Sequence, residues 1–325
     1  MIYTDLFVKE RFKKEELWLR NNLLYECIVG SQAYGLSTSE SDIDIVSIVM
    51  PLEQHLYPQR YGYILGFDEE VPNFNCKNIK GERQRIVVPG KDTPLEGEWN
   101  SLTRFFYLTG IKGSPNLIEC LYVKRNLVTF ATDIGWKLRD NRDKFLSMKT
   151  FNAFKGYAFS QLHRMRNDIN RGKTDNPKRQ YMLKEYGMDV KQGSQILRLL
   201  DQLNQLLDSG TLDLMHNKEE AKAMRNGEWG TWERFQTYVT ERVDILENKA
   251  LTKSKLPTAP RAAELKSLLQ ECIEEFYGSD TEAQRRGTEF VSAKDVMDKL
   301  DVIVNKVTAQ TYSIPGDGSA MKFLE

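Results

Sequence analysis

The chain has 325 residues, of which 40% are hydrophobic, and its 46 lysines and arginines are balanced by 46 aspartates and glutamates. This length is sufficient for two domains with ordinary cores. A formal net charge of zero argues against a protein that coats duplex DNA by charge alone, so any nucleic-acid contact must come from a local patch.

The four cysteines are scattered, and no two of them form a Cys-x-x-Cys pair. This pattern excludes a disulfide framework and a zinc site, and it is typical of a reduced, intracellular protein. No apolar run is long enough to cross a membrane, and the N-terminus lacks the apolar core of a signal peptide. We therefore expect a cytoplasmic protein without a membrane partner.

The N-terminal region begins with a predicted amphipathic helix over 5–22, followed by a short buried strand that ends at Gly30. Because Gly30 has no Cβ, the backbone can turn sharply there and come close to a ligand. Ser31 adds a hydroxyl donor, and a turn or short helix over 31–37 would direct free N–H groups toward the same place. Such a turn favours phosphate oxygens.

A second predicted strand, over 42–49, carries Asp42 and Asp44 one residue apart. The two aspartates therefore share one face of the strand. Two close carboxylates repel each other unless a cation lies between them, and oxygen ligands suit magnesium. An exposed edge strand could carry the same pattern. The order and spacing of the Gly-Ser turn and the aspartate pair instead favour nucleotidyl transfer with two magnesium ions, or manganese in their place.

A third carboxylate normally completes such a site from a neighbouring strand. Residues 51–95 predict an irregular hairpin with one strand at 86–90. Glu96 and Glu98 follow it and share strand parity, so either could face the metals, and both could also be surface charges.

The remainder of the chain is predicted to be helical. The predicted helices lie at 100–112, after Ser114-Pro115, at 135–148, 150–170, 188–208, 217–226, 229–250 and 258–278. A linker at 279–290 precedes a helix at 292–308, whose apolar face would pack on the body or support self-association. We therefore expect an α+β fold. It comprises a catalytic domain over 1–148 with a mixed β-sheet and flanking helices, an all-helical domain over 149–280, and a linker, helix and loose tail over 281–325.

Basic residues are concentrated between residues 164 and 184, with few acidic residues among them. Such a stretch, at a helix end and its following loop, could follow a nucleic-acid backbone. The candidates for that contact are Arg164, Arg171, Lys178 and Arg179. The alternative is an ordinary solvated loop.

Several segments together resemble a known family. Gly30-Ser31-Gln32-Ala33-Tyr34-Gly35-Leu36 followed by Ser41-Asp42-Ile43-Asp44 resembles the signature of the DNA polymerase beta nucleotidyltransferase superfamily. Its branch called the RNA repair pathway DNA polymerase beta family, found in bacteria and phages, is similar over about 20–277. The segments that carry this narrower similarity are 102–106, 112–121, 154–161, 186–200 and 225–229.

The resemblance implies specific roles. Asp42, Asp44 and Glu96 would be the catalytic metal ligands, because the family's spacing before Leu102 favours Glu96 over Glu98. The implied nucleotide-binding residues are Gly30, Ser31, Tyr34, Lys155, Asp189, Lys191 and Arg198. Lys191 is the first choice for neutralising the triphosphate, whereas Asp189 and Arg198 could instead form structural ion pairs. Asn116, which the family keeps, could be only a turn former.

The chain also departs from the family pattern. Ser114 replaces the usual asparagine, and Gln195 stands where the family usually has a histidine on the Asp-Lys helix. No dedicated side-chain base is obvious in the sequence, so metal activation of the attacking hydroxyl, with or without help from one of the carboxylates, is the expected mechanism. The resemblance also implies that the helical domain over 149–280 closes over the nucleotide and its substrate.

The sequence thus predicts a magnesium-dependent nucleotidyltransferase that moves a nucleoside monophosphate from a nucleoside triphosphate to a hydroxyl. The family name suggests an RNA acceptor, such as a tRNA-like 3′ end. Two alternatives stay open at this point: a protein hydroxyl as acceptor, as in antitoxin-type enzymes, and a non-catalytic nucleotide or nucleic-acid binding module.

Overall fold

The computed structural model describes residues 1–63, 76–79, 86, 88, 93–174 and 176–278. Met1–Ile273 form one compact unit, and Glu274–Glu325 form a second one, of which only the first five residues are described. The predicted linker, the helix at 292–308 and the tail therefore lie outside the described residues, as does most of the predicted hairpin over 51–95. The predicted boundary near residue 148 falls inside the first unit.

A mixed five-stranded sheet forms the N-terminal part, as the α+β prediction requires. Its strands are β1 (Leu23–Val29), β2 (Ile43–Val49), β3 (Cys76–Ile79), β4 (Leu95–Ser101) and β5 (Val128–Ala131), in the spatial order β3-β4-β2-β1-β5. Only β2 and β4 run parallel to each other; the other described pairs are antiparallel. The predicted strands before Gly30 and over 42–49 are confirmed as β1 and β2.

The predicted N-terminal helix over 5–22 is wrong as one continuous element. The chain forms α1 (Tyr3–Glu10), a 3-10 turn and then α2 (Trp18–Asn21). The break lets Phe12 turn into the core, where its ring lies 5.0 Å from the ring of Trp99 in an edge-on contact. Tertiary packing of these aromatic rings therefore overrides the helical period of the sequence.

Short helices connect and flank the strands. They are α3 (Gly30–Ala33), α4 (Glu53–Leu56), α5 (Leu102–Phe106), α6 (Pro115–Glu119) and α7 (Asp133–Asp140). The predicted helix over 100–112 begins at residue 102 because the side chain of Ser101 accepts the N–H of Arg104 and caps it. It continues to residue 111 as a π-helical turn.

Helices of 8 to 24 residues make up the described part of the chain after residue 147. They are α8 (Met148–Arg171), α9 (Pro177–Tyr186), α10 (Val190–Ser209), α11 (Lys218–Arg225), α12 (Trp232–Lys253) and α13 (Ala262–Tyr277). Helix α10 is buried along most of its length and packs against α8, α11 and α12. The predicted helices after residue 149 are confirmed, with ends shifted by a few residues.

Helix α9 corrects one prediction. The second half of the basic stretch was expected to be a loop, but it is helical. Asn176 Oδ1 accepts the N–H groups of Lys178 and Arg179, and Pro177 occupies the first helical position. An Asn-Pro pair at a helix start is a recognised signal, and the sequence argument overlooked it here.

Candidate active site

The two strands that carry the acidic residues lie side by side. In the parallel pairing of β2 with β4, Asp44 is opposite Glu96, whereas Glu98 is opposite Val46. Side chains on paired residues of neighbouring strands project on the same side of the sheet. The register thus favours Glu96 over Glu98 as the partner of Asp44. Asp42 immediately precedes β2 and has the same parity.

Gly30 follows β1 and comes very close to Asp44. Its φ is +65°, and a Cβ placed on it would lie 2.2 Å from Asp44 Oδ2. Any other residue would clash with that carboxylate and would strain the left-handed backbone. The glycine is therefore required to bring the turn and the acidic strand together.

A cavity of about 500 Å³ opens beside these strands. One wall, which we call the acidic wall, consists of Asp42, Asp44, Glu96 and Glu98. The helices α9, α10 and α11 contribute Lys178, Lys191, Arg198 and Arg225 to the lining, a set that we call the basic wall. The structure therefore brings together residues far apart in sequence into one cleft with walls of opposite charge.

The acidic wall has the donor chemistry that a hard divalent cation needs. Asp42 is exposed, and Asp44 and Glu96 are partly buried, so their oxygens border the cavity. Within the described residues, however, no three acidic, histidine or cysteine side chains stand together as a complete metal site. The carboxylate chemistry of these residues therefore suits a divalent cation, whereas their described positions do not form a complete set of ligands.

A buried cluster joins the turn to the helices. Tyr34, one turn after Gly30, donates its hydroxyl to Glu119 Oε2, and the guanidinium of Arg198 lies 3.2 Å above the centre of the Tyr34 ring. Arg198 Nη1 is also 3.4 Å from Glu119 Oε1. Cation–π stacking and this buried ion pair together fix three side chains that line the cavity.

The charges in this cluster are strongly perturbed. Burial raises the pKa of Glu119 to about 8, and Gln202 offsets part of that rise without reaching good hydrogen-bond geometry. Burial and the neighbouring Arg225 lower the pKa of Arg198 to about 9. Two guanidinium groups that are held close together and desolvated favour an anion between them.

Arg225 and Glu119 are site residues that the sequence argument did not assign. Arg225 Nη1 donates to the carbonyl of Leu36 at 2.7 Å, which anchors the end of the turn, and no described residue accepts a hydrogen bond from its Nε. Both residues stand in segments that resemble the family, at 225–229 and 112–121. That similarity was the available signal.

The predicted residues on α10 divide between two roles. Lys191 lines the cavity. Asp189 instead caps α10, because its Oδ1 accepts the N–H groups of Lys191 and Gln192. Its Oδ2 lies 3.4 Å from Arg179 Nε. Gln195, where the family usually has histidine, lines the cavity and donates to the Tyr157 hydroxyl at 2.9 Å.

Other predicted residues lie away from the cavity. The ammonium of Lys155 pairs with Glu247 at 2.6 Å, and Lys155 is absent from the described residues that line the cavity. Arg164 and Arg171 are exposed on α8 and are likewise not among them. Ser31 and Asn116 do line the cavity. The turn after Gly30 therefore borders the cavity, whereas only part of the basic stretch does.

Comparisons with known proteins agree with the sequence pattern. The model of a family described as "RNA repair pathway DNA polymerase beta family" matches residues 8–289. A solved structure described as a nucleotidyltransferase-like protein from Exiguobacterium sibiricum 255-15 is 10% identical, with 84% of this chain and 80% of that chain covered and a TM-score of 0.29. That likeness is too distant to inform the site. A comparison with curated proteins finds no match.

Proposed function

This chain belongs to the RNA repair pathway DNA polymerase beta family, and with it to the nucleotidyltransferases of the polymerase beta type; we propose that it transfers a nucleoside monophosphate to a hydroxyl at an RNA 3′ end. The observation that carries this proposal is one cleft lined both by carboxylates from the sheet and by cations from the helices. A nucleoside triphosphate with its metal ions has the matching distribution of charge, because its phosphates are anionic and its metal ions are cationic.

In the proposed reaction, the acceptor hydroxyl oxygen attacks the α-phosphorus of the triphosphate and forms a new P–O bond. The bond from the α-phosphorus to the oxygen that bridges to the β-phosphorus breaks, and pyrophosphate leaves with that oxygen and the electron pair. The hydroxyl proton passes to solvent or to a carboxylate of the acidic wall. Transfer of this kind depends mainly on positioning and on charge stabilisation.

The residues of the basic wall would stabilise the leaving pyrophosphate. Lys191, Arg198 and Arg225 line the same cavity as the carboxylates, and cations aimed at developing phosphate charge account for large rate effects. Gly30 and Ser31 would hold phosphate oxygens at the turn, and Tyr34 would be fixed beside them by Glu119.

Asp42, Asp44 and Glu96 would hold two magnesium ions, or manganese, which when bound lower the pKa of the attacking hydroxyl and neutralise the charge of the phosphates. Such cations would also offset the electrostatic repulsion between the neighbouring carboxylates.

An RNA acceptor is supported by the family description and by the cations of α9 at the edge of the cleft. The free cysteines support a reducing compartment such as the cytosol. Among the described helices, none is long and apolar enough to cross a membrane.

The test is incubation of the protein with magnesium, each labelled nucleoside triphosphate, a single-stranded RNA and cell lysate. We expect label in RNA and release of pyrophosphate, both abolished by Asp42→Ala with Asp44→Ala. Asp244→Asn, an exposed change on α12, is the matched control and should keep full activity. Label only in protein bands would replace the RNA acceptor with a protein one, and activity that survives the double substitution would contradict a catalytic role.

A further inference from the structure

A second, smaller cavity adjoins the first. It has a volume of about 250 Å³ and lies between α9 and the first turn of α10. Lys178, Lys191 and Gln195 line both cavities. Because these three side chains are shared, the small cavity opens toward the side of the cleft where the basic wall stands.

The described residues that line the small cavity are three cations, three amides, Asp189 and Met182, although most of the surface they present to it is apolar. Lys178, Arg179 and Lys191 provide positive charge, and Asp189 is the one acidic residue among the described residues that line it. Asp189 is nearly buried, and its carboxylate already caps α10 and pairs with Arg179. The net charge of the side chains that line the small cavity is therefore positive, which suits an anionic ligand.

Helix caps fix the backbone that surrounds this cavity. Asn176 caps α9 and Asp189 caps α10 through their side-chain oxygens. Both caps fix the backbone from which Lys178, Arg179 and Lys191 project. A cavity whose cations are already positioned costs a ligand less ordering on binding.

We infer that this cavity binds the phosphodiester backbone of the acceptor strand just before its 3′ hydroxyl, while the triphosphate fills the larger cavity. This inference rests on the proposed function. Single-stranded RNA is favoured as the occupant because it carries an anion at every nucleotide and is narrow enough for a small cavity. A protein acceptor has no such regular row of anions.

The basic stretch therefore separates into two groups. Lys178 and Arg179 line the second cavity and would contact specific phosphates. Arg164, Arg171 and Lys184 are exposed, and they are not among the described residues that line either cavity. Their contribution would be only long-range attraction, which salt screens.

The main test compares Arg179→Gln with Lys184→Gln, a cation on the same helix. The probe is a fluorescent single-stranded RNA with a 3′ hydroxyl, titrated at several salt concentrations. We expect Arg179→Gln to weaken binding about tenfold, as for loss of one charge-assisted hydrogen bond, and to reduce the salt slope by roughly 0.7. Lys184→Gln should change the affinity by less than about twofold.

A second probe shows whether the contact is direct. It is the same RNA with one uncharged methylphosphonate linkage, moved stepwise from the 3′ end. The neutral linkage at the contact position should weaken wild-type binding, and Arg179→Gln should then cause no further loss. Arg179→Lys, which keeps the charge, should retain most of the affinity and thereby show that the effect is not one of misfolding.

The outcomes separate the two proposals. Equal losses of RNA affinity for Arg179→Gln and Lys184→Gln would overturn the second-cavity assignment. The same conclusion would follow if Arg179→Gln caused the same further loss of affinity whichever linkage was neutral. Either result could occur while the wild type continued to label RNA. Failure of the wild type to bind or label any RNA, with pyrophosphate released only when protein is present as acceptor, would overturn both.

Discussion

Two glutamates are buried in the described part of the chain, and their surroundings differ. Glu26 on β1 accepts the N–H groups of Tyr3 and Thr4 at 2.7 Å, together with the hydroxyls of Thr4 and Thr129 at 2.5 and 2.6 Å. Its carboxylate therefore has a full set of donors. It anchors α1 and β5 to β1, and it is not among the described residues that line the cleft.

Glu119 has a less complete set. It accepts the hydroxyl of Tyr34, and its second oxygen has an ion pair with Arg198 at 3.4 Å but no hydrogen bond from a described residue. A buried carboxylate with all its donors stabilises a fold, whereas one with unmet capacity on a cavity wall is typical of a functional site. The region around Glu26, which we call the packed face of the sheet, thus uses a buried glutamate for stability. The cleft uses one, Glu119, at a candidate functional site.

The largest effect is expected at the acidic wall. Asp44→Asn should lower the transfer rate about a thousandfold, because metal binding and charge stabilisation contribute several kcal/mol to the transition state. Stability should change by less than about 1 kcal/mol, since the side chain is partly solvated. Rate assays combined with urea unfolding check both values. A loss of stability that matches the loss of rate would remove the distinction between cleft and packed face.

A substitution in the packed face should lower stability and leave activity unchanged, which is the reverse of the effect of Asp44→Asn. Glu26→Ala leaves several buried donors without an acceptor, and we expect a loss of about 3 kcal/mol in the free energy of unfolding. The activity of each folded molecule should be unchanged, because Glu26 is not among the described residues that line the cavity. Active-site titration with denaturation curves separates the two quantities. A fall in activity per folded molecule would show that the two regions are coupled.

Glu119→Gln should have an effect of intermediate size on activity. The amide keeps an acceptor for Tyr34 but removes the carboxylate that pairs with Arg198 once the pH exceeds the Glu119 pKa of about 8. Above that pH, we therefore expect KM for the nucleoside triphosphate to rise about tenfold. Steady-state kinetics at fixed acceptor concentration measures this change. An unaltered KM would assign the Glu119–Arg198 pair to structure alone.

The same substitution tests the pKa of Glu119. With an ordinary value of 4.5 and a folded value of about 8, the folded state binds the proton more tightly than the unfolded state. This contribution to stability is complete below pH 4.5 and is lost as the pH rises to about 8. Relative to Glu119→Gln, the wild type should therefore lose stability between pH 6 and 8. Parallel urea curves at both pH values would contradict the raised pKa.

The smallest effect is expected at Lys155, which the family resemblance assigned to the nucleotide. Its ammonium pairs with Glu247, and both side chains are partly exposed, so Lys155→Met should change stability by less than about 0.5 kcal/mol. KM for the triphosphate should stay within about twofold of the wild type, whereas Lys191→Met should raise it clearly. Equal effects of the two substitutions would place Lys155 in the site after all.

The sequence by itself determined the local features of this protein. A short apolar run identified β1, alternation identified β2 and placed Asp42 and Asp44 on one face, and the helical period identified the helices after residue 149. These features depend on neighbours within a few residues, so they can be read from spacing. The order of short motifs was also sufficient to identify the family.

Only the tertiary structure decided how distant segments meet. The register of β2 with β4 placed Glu96 opposite Asp44 across about fifty residues of chain, and the burial of Phe12 broke the first helix. Arg225 reaches the turn after Gly30 from a helix almost two hundred residues away, at a separation of 189 positions from Leu36. Such contacts depend on the packing of whole elements, and no periodic pattern in one segment encodes them.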